Sequence, residues 1–284
     1  MKRALSLAVL LTPLGCFSMP TPLAPGLSGS IGAPNHGVLT DGEELPTRGP
    51  GFVRYRPLSP HYFGRPGLVH TIERAASAVA SRFPGGAPLF IGDLSAQTGG
   101  RIPGHDSHRS GRDADLLFYV TTPAGVPVSS PGFVHFEADG LALVEETNDY
   151  VRLDVEREWL LVRSLLESPE VGVQFLFASR EIEGLLIDYA RARNEPPELL
   201  WHAETVLLQP TDSLPHDDHL HLRVSCSPED SLAGCSGGGP RWEWLKPDAR
   251  PEPLDAASLS GIAHDDPFQL EPPAETATAG PGGA

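Results

Sequence analysis

The sequence predicts an α+β domain: a small mixed or antiparallel sheet with helices packed on it. Three observations carry this reading. Stretches of helical period are separated by short apolar runs, and the last of those runs alternates strictly between polar and apolar residues. In addition, 30 Gly and 30 Pro in 284 residues make about a fifth of the chain, against an average nearer 12%, which is too much turn-former for helix throughout.

The elements follow in order. Pro66 suits a helix start, and Leu68, Ile72, Ala75, Ala76 and Val79 recur at helical spacing up to Pro84. Leu89, Phe90 and Ile91 read as a short buried strand, and residues 92–104 as a glycine-spaced loop. Asp113 to Val120 alternates and then turns apolar, like a strand. Asp154 suits the cap of a helix running to about Leu166, with Trp159, Val162 and Leu166 on one face. Val171 to Ala178 reads as a strand, Glu181 to Arg193 as a helix, and Asp218 to Ser225 as a closing strand.

Four segments emerge. Met1-Lys2-Arg3 followed by an apolar stretch to Leu14 reads as an export signal over residues 1–19. Cys16 offers an alternative in which that cysteine is acylated as a lipoprotein anchor, although Pro13 stands where leucine is usual. Residues 20–60, rich in Pro, Gly and Ser, read as an extended arm, residues 61–245 as the domain, and residues 246–284, with seven prolines and a charge of -5, as a disordered acidic tail. Cys226 and Cys235 read as a disulfide in an oxidising compartment, with two reduced thiols as the alternative.

Charge narrows the function. A net -16 removes the electrostatic basis for non-specific binding to nucleic acid or anionic lipid. No apolar run reaches the roughly 18 residues of a spanning helix.

Six of the eleven histidines fall in two segments: His105 and His108 in one, His202, His216, His219 and His221 in the other. In the closing strand, a period of two puts His219, His221 and Arg223 on one face and Leu220, Leu222 and Val224 on the other. The same geometry places Asp113 and Asp115 together, and His108 stands seven residues before Asp115. Three ligands of the His/Asp/His type are what a catalytic Zn²⁺ uses, because a fourth position stays open. Ordinary hydrogen-bonded histidines at a strand edge are the plainer reading of any one of them. Asp113 reads equally as a partner orienting a ligand imidazole or as a solvated carboxylate, and Arg223 as a substrate clamp or a surface ion pair. Asp93 and Asp217 are given no catalytic role, the four tryptophans read as core or surface anchors rather than substrate platforms, and the role of His202 beside Trp201 is open.

These residues also carry a resemblance. Ile91-Gly92-Asp93, Gly99-Gly100, then His105-x-Ser107-His108-x2-Gly111-x-Asp113-x-Asp115, with His216-x2-His219-x-His221-x-Arg223-Val224 and Cys226-x-Pro228-x-Asp230-Ser231-x3-Cys235, resemble the penicillin-insensitive murein endopeptidases. That family is related to lysostaphin-type enzymes, D-alanyl-D-alanine metallopeptidases and hedgehog amino-terminal domains. The resemblance runs from about Tyr62 to Cys235 and implies a zinc cleft in which His108, Asp115 and His221 bind Zn²⁺. It implies that His219 acts as base or transition-state stabiliser with His105 and His216 beside it; Asp218 is the competing base, pointing the other way on a regular strand. The implied reaction is hydrolysis of the D-alanyl to meso-diaminopimelyl cross-link of peptidoglycan in the periplasm. The alternatives are a stem-peptide carboxypeptidase and a non-catalytic zinc-binding envelope module.

Overall fold

The computed structural model describes residues 29–245, apart from residue 212. The expected export signal, Cys16 and the tail 246–284 lie outside the described residues. The fold is mixed helix and sheet, as its class predicts.

A seven-stranded mixed sheet forms the frame. In chain order its strands are β1 (Arg48–Gly49), β2 (Phe52–Arg54), β3 (Leu89–Ile91), β4 (Asp113–Leu117), β5 (Val173–Phe177), β6 (Leu207–Leu208) and β7 (His219–Val224). The spatial order is β6-β5-β7-β4-β3-β2-β1. The β5/β6 and β2/β3 pairs are parallel and the others antiparallel.

Register decides what the central strands present. His221 pairs with Asp115 and Arg223 with Asp113, so the histidines and carboxylates share one face; Leu222 pairs with Ala114 and Leu220 with Leu116 on the other. That apolar face enters the core with Leu68, Val69, Ile72, Leu161, Val162 and Leu165. These come from helices α1 (Pro66–Arg82) and α2 (Val155–Leu166). Each such fully buried Leu or Ile contributes about 1.5–3 kcal/mol, so the strands cannot slip by one residue without exposing the core and burying the charges.

Helix starts follow their sequence signals. Pro66 sits in the first turn of α1, and Asp154 caps α2 by accepting from the Arg157 amide. Ser179 does the same for α3 (Arg180–Ala192) through the Ile182 amide. Helix α4 (Pro197–Val206), which the sequence reading passed over, begins at a proline, and α5 (Pro228–Leu232) is capped by Ser227.

Two expectations are corrected. Residues 29–60 are not a loose arm: they contribute a hairpin (Ser30–Ala33 with His36–Leu39), β1 and β2, with Leu39, Leu45 and Phe52 buried. Pro34, Pro50 and Gly51 sit at turns, and Gly32, Gly37 and Gly49 lie within strands too short to show a period. The strand expected from Asp113 to Val120 also breaks after Leu117. There the Tyr119 amide turns to Glu158 Oε2 (3.0 Å) and its carbonyl accepts from the Asp154 amide (2.8 Å). Val120–Thr121 joins a second, four-stranded antiparallel sheet with Pro127–Val128, Leu141–Val144 and Asp149–Leu153.

The carboxyl-terminal loop is fastened back onto the fold. Cys226 and Cys235 are joined in a disulfide, and the buried Arg112 guanidinium donates to the carbonyls of Ser236 (2.8 Å) and Gly237 (3.3 Å). Among the described residues no helix is long and apolar enough to cross a membrane.

Candidate metal centre

The site is built where the polar faces of β4 and β7 meet two loops. Asp113 and Asp115 come from β4, and His219 and His221 from β7. The loop before β4 supplies His105 and His108, and the loop before β7 supplies His216. His108 and His216 are two of the few non-glycine residues with positive φ, at 62° and 56°. Such left-handed backbone is held only where the surroundings over-determine it. For His108 they do: its amide donates to Asp113 Oδ2 (3.2 Å) and its carbonyl accepts from Ser95 Oγ (2.6 Å). Gly99 closes the same loop with φ at 68°, where a Cβ would collide with the Arg109 carbonyl.

Three imidazoles converge on one carboxylate oxygen. His108 Nε2 lies 3.2 Å from Asp115 Oδ1, and His219 Nε2 and His221 Nδ1 each lie 3.3 Å from it. In every case the other ring nitrogen is tied to an acceptor. His108 donates Nδ1–H to the Leu94 carbonyl (2.6 Å), His221 donates Nε2–H to Asp113 Oδ1 (2.9 Å), and His219 donates Nδ1–H to Asp218 Oδ1 (2.6 Å). In their neutral forms all three rings therefore turn a lone pair toward an oxygen that offers only lone pairs. His108 Nε2 and Asp115 Oδ1 are buried with no hydrogen-bond partner. Lone pairs that face one another away from water are costly unless a cation sits among them.

Two sets of side chains offer ligand atoms within 4.8 Å of one another: His105, His108 and Asp115, and His216, His219 and His221. They are neighbours, since Asp115 touches members of both, and the trio His108, Asp115 and His221 draws on each. His105, His108, Asp115, His216, His219 and His221, the expected ligands and flanking histidines, are thus brought together. His105 Nδ1 is 3.7 Å from Asp115 Oδ2 and its Nε2 is 3.3 Å from Asp93 Oδ2. The His216 ring lies 5.0 Å from that of His219 and 5.4 Å from that of His221.

The electrostatics match this crowding. Burial disfavours the charge on Asp115, but His108 and His219 beside it outweigh that and hold its carboxyl well below the usual range. Asp113 is held low against its own burial by Arg223 and by the hydrogen bond from His221. Burial opposes a proton on His219 too, yet Asp115 and Asp218 outweigh it and raise its pKa; a cation held at Asp115 would compete with that proton and leave Nε2 free. Burial, with His221 and His219 close by, pushes His216 down to about 4. The cluster attracts positive charge at the Asp115 carboxylate.

Sequence reasoning missed part of the surround. Asp93 accepts from Ser59 Oγ (3.1 Å) and positions His105; Phe133 sets its ring edge-on to His219 at 5.2 Å and to Tyr55 at 5.6 Å. These residues come from separate segments, so no spacing marks them. Asp217 does accept from His135 Nδ1 (2.7 Å), in line with a loop role. His202 and Trp201 pack on Trp244 and His202 belongs to neither histidine set. Arg223 donates Nε–H to Asp113 Oδ1 (2.6 Å) and lies over Phe177, so its charge is spent on a buried pair.

Comparison with known proteins agrees with this geometry. A sequence model of the penicillin-insensitive murein endopeptidases matches residues 30–240. The chain belongs to that family, a family of metallopeptidases. It is 25% identical to the penicillin-insensitive murein endopeptidase of Haemophilus influenzae over 93% of this chain and 89% of that protein. It is 27% identical to the enzyme of that name from Escherichia coli O157:H7 over 81% of this chain and 76% of the other. A stretch of 96 residues is 38% identical to the one from Klebsiella pneumoniae, over 34% of each chain. A divalent metal ion fits the residues of the centre in this family member.

Proposed function

We propose that this chain is a zinc-dependent murein endopeptidase that hydrolyses the D-alanyl to meso-diaminopimelyl cross-links of peptidoglycan in the periplasm. The observation that carries the reading is the convergence of three tied-back imidazoles on the buried, unpartnered Asp115 Oδ1. His108 through Nε2, Asp115 through its carboxylate and His221 through Nδ1 would hold the ion. Zinc, once bound, supplies Lewis acidity for the scissile carbonyl and acidifies water near neutrality.

The chain's own residues do the rest. His219 Nε2 takes the proton of the attacking water and returns it to the departing amine nitrogen. Asp218 fixes the tautomer that leaves Nε2 free for this and steadies the imidazolium once it forms. Asp218 is thereby the partner of the base rather than the base, because its carboxylate is engaged with His219 Nδ1. Asp113 and the Leu94 carbonyl orient His221 and His108. His105 and His216 flank the reaction centre from the two loops, the first held by Asp93. In this reading residues 1–19 direct export, with anchoring at Cys16 as the lipoprotein alternative.

The test is digestion of purified sacculi with metal analysis on the same protein. Conversion of cross-linked dimers to monomers, with about one zinc per chain, is the expected result. Release of terminal D-alanine alone would make it a carboxypeptidase. Stoichiometric zinc with no turnover would make it a binding module.

A further inference from the structure

Arg56 stands beside the candidate metal centre with its charge only loosely paired, 3.8 Å from Asp93 Oδ2. It follows β2 in the chain, its side chain is 62% exposed, and its guanidinium lies over the rings of Tyr55 (5.7 Å) and Phe133 (5.9 Å). Phe133 is the ring that touches His219. The two aromatic faces hold the planar cation beside the catalytic imidazole without using its N–H donors. Among the described residues the guanidinium donates no hydrogen bond, and the nearest carboxylate oxygen, Asp93 Oδ2, is 3.8 Å from Nη1. Asp93 is already engaged by Ser59 and His105, with His61 3.9 Å away. Its single negative charge therefore leaves Arg56 incompletely answered. Arg223, on the polar face of β7, is consumed by Asp113.

Resting on the endopeptidase reading, we propose that Arg56 recognises a free carboxylate on the residue that supplies the amine side of the scissile amide. A fork of N–H donors free of hydrogen bonds among the described residues, set over aromatic rings, suits two-point binding of a carboxylate. In a cross-link made through the distal amino group of a diamino dicarboxylic acid such as meso-diaminopimelate, unlike one made through lysine, the carbon bearing that nitrogen also bears a free carboxylate, so this group enters the cleft beside the bond to be cut. Arg56 then makes substrate choice a matter of the chemistry at that carbon.

The experiment compares two defined cross-linked muropeptide dimers that differ only in whether this carboxylate is free or converted to the carboxamide. Wild type, Arg56→Gln and Arg56→Lys are assayed on both, with Arg163→Gln as a remote control. A charge-assisted hydrogen bond is worth enough to change kcat/KM by about 10- to 100-fold. Wild type is expected to lose that much on the amidated dimer. Arg56→Gln is expected to lose as much on the free-acid dimer and little more on the amidated one, and Arg56→Lys to recover part of it. Equal wild-type rates on both dimers would overturn the carboxylate subsite and leave the endopeptidase reading standing. Equal losses by Arg56→Gln on both dimers would overturn it as well, since Arg56 would then only support Asp93 and Phe133. Wild type cleaving neither dimer would overturn the endopeptidase reading, and this inference with it.

Discussion

His221 donates its Nε2–H to Asp113 Oδ1 across 2.9 Å, though 108 residues separate the two. The contact is diagonal: Asp115 is the residue paired with His221 on the neighbouring strand, and Asp113 stands one step further along the same face. The same oxygen accepts from Arg223 at 2.6 Å, so Asp113 stays ionised while fully buried. In the proposed centre a strand pair would thus supply a ligand carboxylate opposite the ligand imidazole and an orienting carboxylate beside it. Asp113→Asn should weaken metal affinity by about 10- to 100-fold, since the orienting acceptor loses its charge. Competition with a chromophoric chelator measures this, and unchanged affinity would show that Asp113 does not hold the ring.

The site was largely legible in the sequence because its residues lie in alternating strands. A period of two fixes faces without knowledge of the partner, so His219 and His221, or Asp113 and Asp115, could be placed together from order alone. What was not legible came from sequence-distant loops. Phe133, Tyr55, Arg56 and the Leu94 carbonyl reach the centre only through tertiary packing, and no spacing relates them. The same limit explains residues 29–60: strands of two to four residues carry no period, and their turn residues look like those of an unstructured arm.

Glu158 should make the fold sensitive to alkali. It is fully buried on α2, Oε2 accepts the Tyr119 amide and Oε1 has no partner. Burial first, with Asp154 nearby, pushes its carboxyl up to about 8 from an ordinary 4.5. The folded form therefore holds a proton that the unfolded chain releases. This stability is fully present below about pH 4.5 and is lost as pH rises through 8, amounting to roughly a few kcal/mol. Glu158→Gln keeps an acceptor for Tyr119 and removes the titration. Urea midpoints from pH 5 to 9 should fall more steeply for wild type than for the variant, with the variant the more stable at pH 8; parallel profiles would refute the assignment.

The disulfide should matter more to stability than to chemistry. Cys226 and Cys235 close a short loop, and the loop-entropy relation gives about 2–3 kcal/mol for a closure of this size. The segment it holds carries the Ser236 and Gly237 carbonyls that satisfy the buried Arg112, so loosening it also exposes a buried cation to loss of its partners. Replacing both cysteines with serine should lower Tm by roughly 5–10 °C while metal content and turnover at 25 °C stay near wild type. Calorimetry with a thiol count under denaturing, non-reducing conditions checks both; free thiols at positions 226 and 235 in the untreated protein would show that the bond does not form.

His219 should be separable from metal binding, and Asp218 should act only through it. His219 Nε2 and His221 Nδ1 are equidistant from Asp115 Oδ1, so distance alone does not say which imidazole holds the ion. Their second partners differ. His221 is buried and tied to Asp113, which Arg223 neutralises, a fixed arrangement suited to a ligand. His219 is less enclosed, touches the Phe133 ring and is tied to Asp218, a carboxylate 21% exposed, an arrangement suited to gaining and losing a proton. Acid-base assistance contributes about 10²–10⁴ in rate. His219→Ala should lose activity on that scale and keep its metal, whereas His221→Ala should lose both. Asp218→Asn removes the charge behind the imidazolium but leaves an acceptor for Nδ1–H, so its loss should be smaller and should vanish in a His219→Ala background. Turnover of a cross-linked dimer beside elemental analysis for the four variants decides the matter. If Asp218→Asn costs as much in the His219→Ala background as in wild type, Asp218 meets the substrate or the water directly and the roles of the two residues are exchanged.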